Sequence, residues 1–176
     1  MREGTLWVLG AIALILLLAL ISYHAHDPGF ADTGEPGPVG NWIGPIGAWL
    51  AGFFLFLFGR PAYLFPVMLA YSGWLVHADQ SLPEARSRVN TLLRALGFVL
   101  TLLTSCGLAT LHWSGAGLPN SAGGVLGELV GTGSAGGLSF LGATLLLLGL
   151  WLAVVALFLG VSWFQAMDRL GAGVLK

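Results

Sequence analysis

The chain has 176 residues, of which 56% are hydrophobic and only 9% charged, where a soluble globular domain carries about a quarter charged residues. A core of this size cannot bury so much apolar surface, so lipid or another protein must cover the remainder. A formal net charge of -1 excludes a broadly basic nucleic-acid-binding face, and one cysteine, Cys106, excludes an intrachain disulfide or a clustered cysteine metal site.

The first element is the uncharged, leucine-rich stretch Thr5–Tyr23. A hydrocarbon core about 30 Å thick takes about 20 apolar residues as a helix, and only helices or closed barrels satisfy their backbone there. Polarity does not alternate along this stretch or its counterparts, which rules out a barrel and makes the chain all-α. The apolar run exceeds a signal-peptide core and no small-x-small cleavage site follows it, so it reads as a retained crossing.

Tyr23–Asn41 follows as a short acidic loop with Asp27, Asp32 and Glu35 among prolines and glycines, a composition that favours turns and extended backbone. His24, His26 and Asp27 are residue types that bind metals, but a third firm ligand is not evident and interfacial histidines beside a helix end explain them. No metal site is expected.

Trp42–Val76 is the awkward stretch, interrupted by Gly59-Arg60-Pro61 and containing Pro45 and Pro66. A charge at mid-bilayer costs at least about 2.5–3.5 kcal/mol, so Arg60 should sit near an interface. The expectation is a crossing over residues 61–76, preceded by a helix over 46–58 lying in or dipping into the outer leaflet. The alternative is one long, tilted helix kinked at Pro61.

The third crossing is Ala95–Trp113, uncharged and holding Cys106 among apolar neighbours, where a thiol is inert packing. Ser114–Gly137 then reads as a second outer loop, with Gly123, Gly127 and Gly131 at four-residue spacing. Such glycines serve either sharp turns or close backbone contact, and turns are the preferred reading. Glu128, alone among them, reads as a helix cap or solvated turn, because a catalytic acid would need a partner base. Residues 138–164 form the fourth crossing.

Charge placement chooses the topology. With these four crossings, Arg2, Arg86, Arg88, Arg94, Arg169 and Lys176 all fall on one side, while residues 24–41 and 114–137 contain no Lys or Arg. The positive-inside bias makes that side, and both termini, cytoplasmic. Splitting Trp42–Val76 into two crossings would invert the bias. Trp7, Trp74 and Trp163 then mark inner helix ends and Tyr23, Trp42 and Trp113 outer ones, with Trp151 the mid-helix exception.

Small residues recur every fourth position as Gly40, Gly44, Ala48 and Gly52, and again as Gly97, Thr101, Ser105 and Ala109. Within lipid, small faces and interhelical hydroxyl bonds drive helix packing. Gly44, Ala48, Gly52, Gly97, Thr101, Ser105, Ala109, Gly123 and Gly127 are therefore the candidate interface residues, facing either this bundle or a neighbouring subunit or partner. Catalytic, cofactor-binding and metal residues are expected to be none. The sole lysine is Lys176, so the chain lacks the Gly-x-x-x-x-Gly-Lys-Ser/Thr phosphate loop, and the four crossings hold no Asp, Glu or Lys for a proton or ion relay.

Several motifs in order resemble the N-terminal membrane domain of FtsK, the family of bacterial cell-division DNA translocases. They are Ser22-Tyr23 with Asp27-Pro28, Gly44-Pro45-Ile46-Gly47-Ala48-Trp49-Leu50-Ala51, Leu57-Phe58-Gly59, Leu103-Thr104-Ser105-Cys106-Gly107-Leu108-Ala109, Gly123-Gly124-Val125-Leu126-Gly127 and Gly160-Val161-Ser162-Trp163. Arg60 departs from the apolar residue expected after that Phe-Gly. The resemblance implies four transmembrane helices in one anchor domain over residues 1–176, inner-membrane localisation at the division septum, and cytoplasmic termini. It implies partnership with FtsZ, FtsQ, FtsL and FtsI, and a hexamer in the full-length protein. In the family a linker and an ATP- and Mg-dependent DNA motor follow, so these residues are expected to be a non-enzymatic fragment that does not itself touch DNA. A small membrane transporter or channel is the alternative.

Overall fold

The computed structural model describes residues 2–30, 38–78 and 84–159. The expectations for Asp32, Glu35, Gly160-Val161-Ser162-Trp163, Arg169, Lys176 and the end of the fourth crossing lie outside the described residues. Those described are helical with no strand among them, in the order α1 (Arg2–Ile21), α2 (Gly44–Phe58), a 3-10 turn (Arg60–Tyr63), α3 (Leu64–Ala78), α4 (Glu84–His112), α5 (Gly124–Gly127), a π-helical turn (Glu128–Thr132) and α6 (Gly133–Leu159). Thr91–His112 and Gly124–Leu159 are long and apolar enough to cross a membrane, whereas Trp7–Ile21 and Gly44–Phe58 are shorter apolar helices.

Two hairpins make up the bundle. α1 packs along α3, and α4 along α6. In each, a short helical segment stands between the loop and the returning helix: α2 in the first, residues 124–138 in the second. The two segments begin alike. Gly44 and Gly124 have φ of 74° and 66°, which glycine adopts without penalty. Their N–H groups donate to the Asn41 and Ser121 carbonyls at 2.9 and 3.0 Å. A glycine follows three residues later in both, at Gly47 and Gly127, and both are buried. The chain thus repeats one unit of helix, loop, glycine-started short helix and returning helix.

Both short segments end in a backbone break. Gly59, at φ 60° and ψ -141°, stops α2 and turns the chain into Arg60–Tyr63, so α2 and α3 are not one kinked helix. Ser139, at φ 65° and ψ 168°, breaks α6 at the start of the expected fourth crossing. A left-handed φ is uncommon outside glycine, so the break is a defined bend.

The second outer loop is therefore shorter than expected, because residues 124–137 are helical. Its glycines serve close approach instead of turns. A Cβ at Gly123 or Gly127 would overlap the Cys106 carbonyl and the Thr110 hydroxyl, and one at Gly131 would lie 2.7 Å from the Gly107 carbonyl. The short helix crosses α4 with its backbone in contact, a geometry that only these hydrogen-sized side chains permit.

Aromatic rings join the hairpins. Phe65 of α3 lies 4.7 Å from Phe54 and 4.8 Å from Phe58 of α2, and 5.4 Å from Phe98 of α4. Phe98 continues to Phe158 of α6 at 5.8 Å. Offset and edge-on rings at these separations add attraction beyond the area they bury. Outward, by contrast, the bundle is apolar: Trp7, Val67, Leu92, Leu141 and Leu145 are all exposed, and only 17% of the apolar window in Gly124–Leu159 is buried. Water does not suit such a surface.

Candidate functional site

Polar groups gather at one end of the bundle, where α1 ends and α4 ends. The last turn of α1 leaves carbonyls without helical partners. Asn41 supplies them: its Nδ2 donates to the Ala19 and Ser22 carbonyls at 2.8 and 3.2 Å, while its Oδ1 accepts the Ile43 N–H at 3.0 Å. Ser22 Oγ accepts the Trp42 N–H at 3.0 Å. From the far side of α2, Tyr63 donates its hydroxyl to the Leu20 carbonyl at 2.9 Å. The chain before α2 and the turn after it are thus both tied to the final turn of α1, so α2 lies across that end instead of running the length of the bundle.

The loop residues singled out for metal chemistry serve the same cap. Asp27 accepts the Gly40 and Asn41 N–H groups at 2.8 and 2.9 Å, and His24 Nδ1 lies 3.0 Å from the Ser22 carbonyl. Among the described residues no three His, Cys, Asp or Glu side chains converge on a common point. Glu128 is exposed in the π-helical turn.

The small-residue ladders lie against the chain itself over most of their length. Gly52 faces the Phe30 N–H, 3.2 Å from where a Cβ would stand, and Ala48 is 2% exposed. Gly44 meets nothing within 4 Å. On α4, a Cβ at Gly97 would sit 2.7 Å from the Phe158 nitrogen, and Ala109 is 2% exposed. Thr101 donates to the Gly97 carbonyl of its own helix at 2.7 Å. Ser105 accepts the Trp151 indole N–H at 2.9 Å. That bond accounts for the tryptophan at mid-helix, away from the headgroup level that the other tryptophans were expected to mark. Gly123 and Gly127 close on Cys106 and Thr110 as described above.

Three features were not anticipated. Cys106 is not merely packed: its thiol donates to the Phe58 carbonyl at 3.4 Å, satisfying an α2 end group. The Arg60 N–H donates to the Ala122 carbonyl at 2.8 Å, tying one break to the start of the other short helix. The arginine side chain is exposed, with its guanidinium carbon 5.9 Å from the centroid of the Trp113 ring. Beside it opens an apolar cleft of about 570 Å³ between the 3-10 turn, α4 and α6. Only the four-residue glycine spacing hinted at any of this, and composition left its meaning open.

What the described residues show at this end is backbone capping and close helix packing. The chain matches, over residues 1–171, the model of the 4TM region of DNA translocase FtsK/SpoIIIE. It is 38% identical over 173 residues to DNA translocase FtsK of Pseudomonas syringae pv. tomato, covering 97% of this chain and 22% of that protein. DNA translocase FtsK of Pseudomonas putida is 36% identical over 172 residues, with 97% and 21% covered. DNA translocase FtsK 2 of Ralstonia nicotianae is 36% identical over 178 residues, with 96% and 22% covered. The chain therefore spans about a fifth of the length of the curated relatives it matches. No solved structure matches it. With apolar helices, an outward apolar surface and a match along almost the whole chain, the chain belongs to the FtsK/SpoIIIE 4TM family and is a membrane region of that kind.

Proposed function

We propose that this domain is a membrane anchor and divisome-assembly module of a septal DNA translocase that couples chromosome segregation to division. It crosses the inner membrane four times with both termini cytoplasmic. α2 lies in the outer leaflet, and residues 124–138 cap the second hairpin at the same level. The domain holds a DNA pump at the septum and raises its local concentration there. The chain itself performs no catalysis and does not touch DNA. FtsZ, FtsQ, FtsL and FtsI are its partners at the septum, and the full-length protein is a hexamer.

The observation that carries this reading is the doubled hairpin, apolar on its flanks, with both short helices gathered at the end that holds Asp27, Asn41 and Trp113. The experiment is to express residues 1–176 fused to a fluorescent reporter in dividing cells. Fluorescence should concentrate at septa, and uniform membrane fluorescence would contradict the assembly role. The interruptions at Gly59 and Ser139 favour a second reading, a small transporter or channel, because broken helices line many transport sites. Solute flux into liposomes that depends on the purified domain would establish it.

A further inference from the structure

The cleft beside Arg60 is graded from end to end. α4 and α6 run antiparallel along it, with Ser105 facing Trp151 at one rung and His112 facing Thr144 at another. Seven residues separate the rungs on each helix, a rise of about 10 Å. At the deep rung Trp151 and Ser105 use their polar atoms on each other, leaving Leu108, Ala109 and Leu148 to present carbon between the rungs. At the other rung His112 Nε2 and the Thr144 hydroxyl are likewise paired, 3.1 Å apart, with Trp113 beside them, so what distinguishes this end is the charge of the Arg60 guanidinium over the indole.

Among the described residues the Arg60 guanidinium is recorded against the Trp113 ring, and residues 24–41 and 114–137 contain no second Lys or Arg. An exposed guanidinium at one end of an apolar trough complements one kind of molecule: an anion carried on a hydrocarbon chain. Arg matches phosphate geometry with paired donors, and beside a low-dielectric apolar cleft its charge favours a lipid of net negative charge over a zwitterionic one. We propose that this cleft is a binding site for one anionic phospholipid, its phosphate on Arg60 and one acyl chain lying along Ala109 and Leu148 toward Trp151. The site rests on the membrane reading of the domain and is independent of any septal role.

The test is native mass spectrometry of the detergent-solubilised chain titrated with phosphatidylglycerol or with phosphatidylcholine of the same acyl composition. The wild type should retain phosphatidylglycerol at concentrations about fivefold lower than phosphatidylcholine. Arg60→Leu should abolish that preference and Arg60→Lys should keep part of it. Phosphatidylglycerol with a photoactivatable acyl chain should crosslink to residues 105–113 and 144–151. Equal retention of the two lipids by the wild type, an undiminished preference in Arg60→Leu, or crosslinks spread over all helices would overturn the site. Failure of the wild-type chain to float with vesicles would overturn the membrane reading and the site together.

Discussion

At the scale of single residues, two groups carry more than their size suggests. Gly123 and Gly127 let one helix backbone rest on another, with no room for a methyl group against Cys106 and Thr110. Gly123→Ala or Gly127→Ala should therefore destabilise the domain by about 1–3 kcal/mol through overpacking. Gly133→Ala, where nothing lies within 4 Å and the backbone is helical, should be neutral or stabilising by about 0.4–1 kcal/mol. Thermal unfolding in detergent distinguishes these outcomes, and equal effects at all three positions would refute the close-approach account. Asn41 is the second group. It is 4% exposed and serves three backbone partners. Asn41→Ala should cost about 1–3 kcal/mol, since it strands buried carbonyls at the end of α1, and the same unfolding measurement reads it.

Among elements, what could be read from the sequence divides along a physical line. Long leucine-rich stretches announce themselves, because a helix that meets lipid on most sides is apolar on most sides. α1 and the later parts of α4 and α6 fall where the uncharged stretches lie, while α4 begins eleven residues earlier, at Glu84. A helix over 46–58 was also legible, since Gly59-Arg60-Pro61 breaks or kinks one, and the structure places it at Gly44–Phe58. The helix over 124–138 was not legible. Its glycines are poor helix formers by intrinsic propensity, and the gain that offsets this comes from tertiary contact with α4 across the intervening loop, which local sequence does not display. The matching starts at Gly44 and Gly124 were visible as letters, but their common backbone geometry was not. The depth of α2 tests how the elements sit in lipid. A spin label at Ile46, which is 74% exposed, should report headgroup-level accessibility, whereas one at Leu146, 53% exposed, should report the hydrocarbon interior. Equal depth at both positions would contradict an α2 that lies across the bundle end.

For the whole molecule, two like hairpins are the arrangement that the proposed one-sided placement of Arg2, Arg86, Arg88, Arg94, Arg169 and Lys176 requires. Each hairpin leaves and returns to the same face, so under the four-crossing proposal the turns after α1 and α4 lie opposite the termini. The aromatic chain from Phe54 through Phe65 and Phe98 to Phe158 then makes the hairpins one body. Sidedness is the claim on which anchor, assembly and lipid site all depend. It is measured most directly with single-cysteine variants in right-side-out and inverted vesicles. Cys106 is fully buried and can stay in place. Cysteines at Arg2 and Lys176 should react with an impermeant maleimide only in inverted vesicles, and cysteines at His26 and Ser114 only in right-side-out ones; labelling of Arg2 and Lys176 from opposite faces would contradict the account.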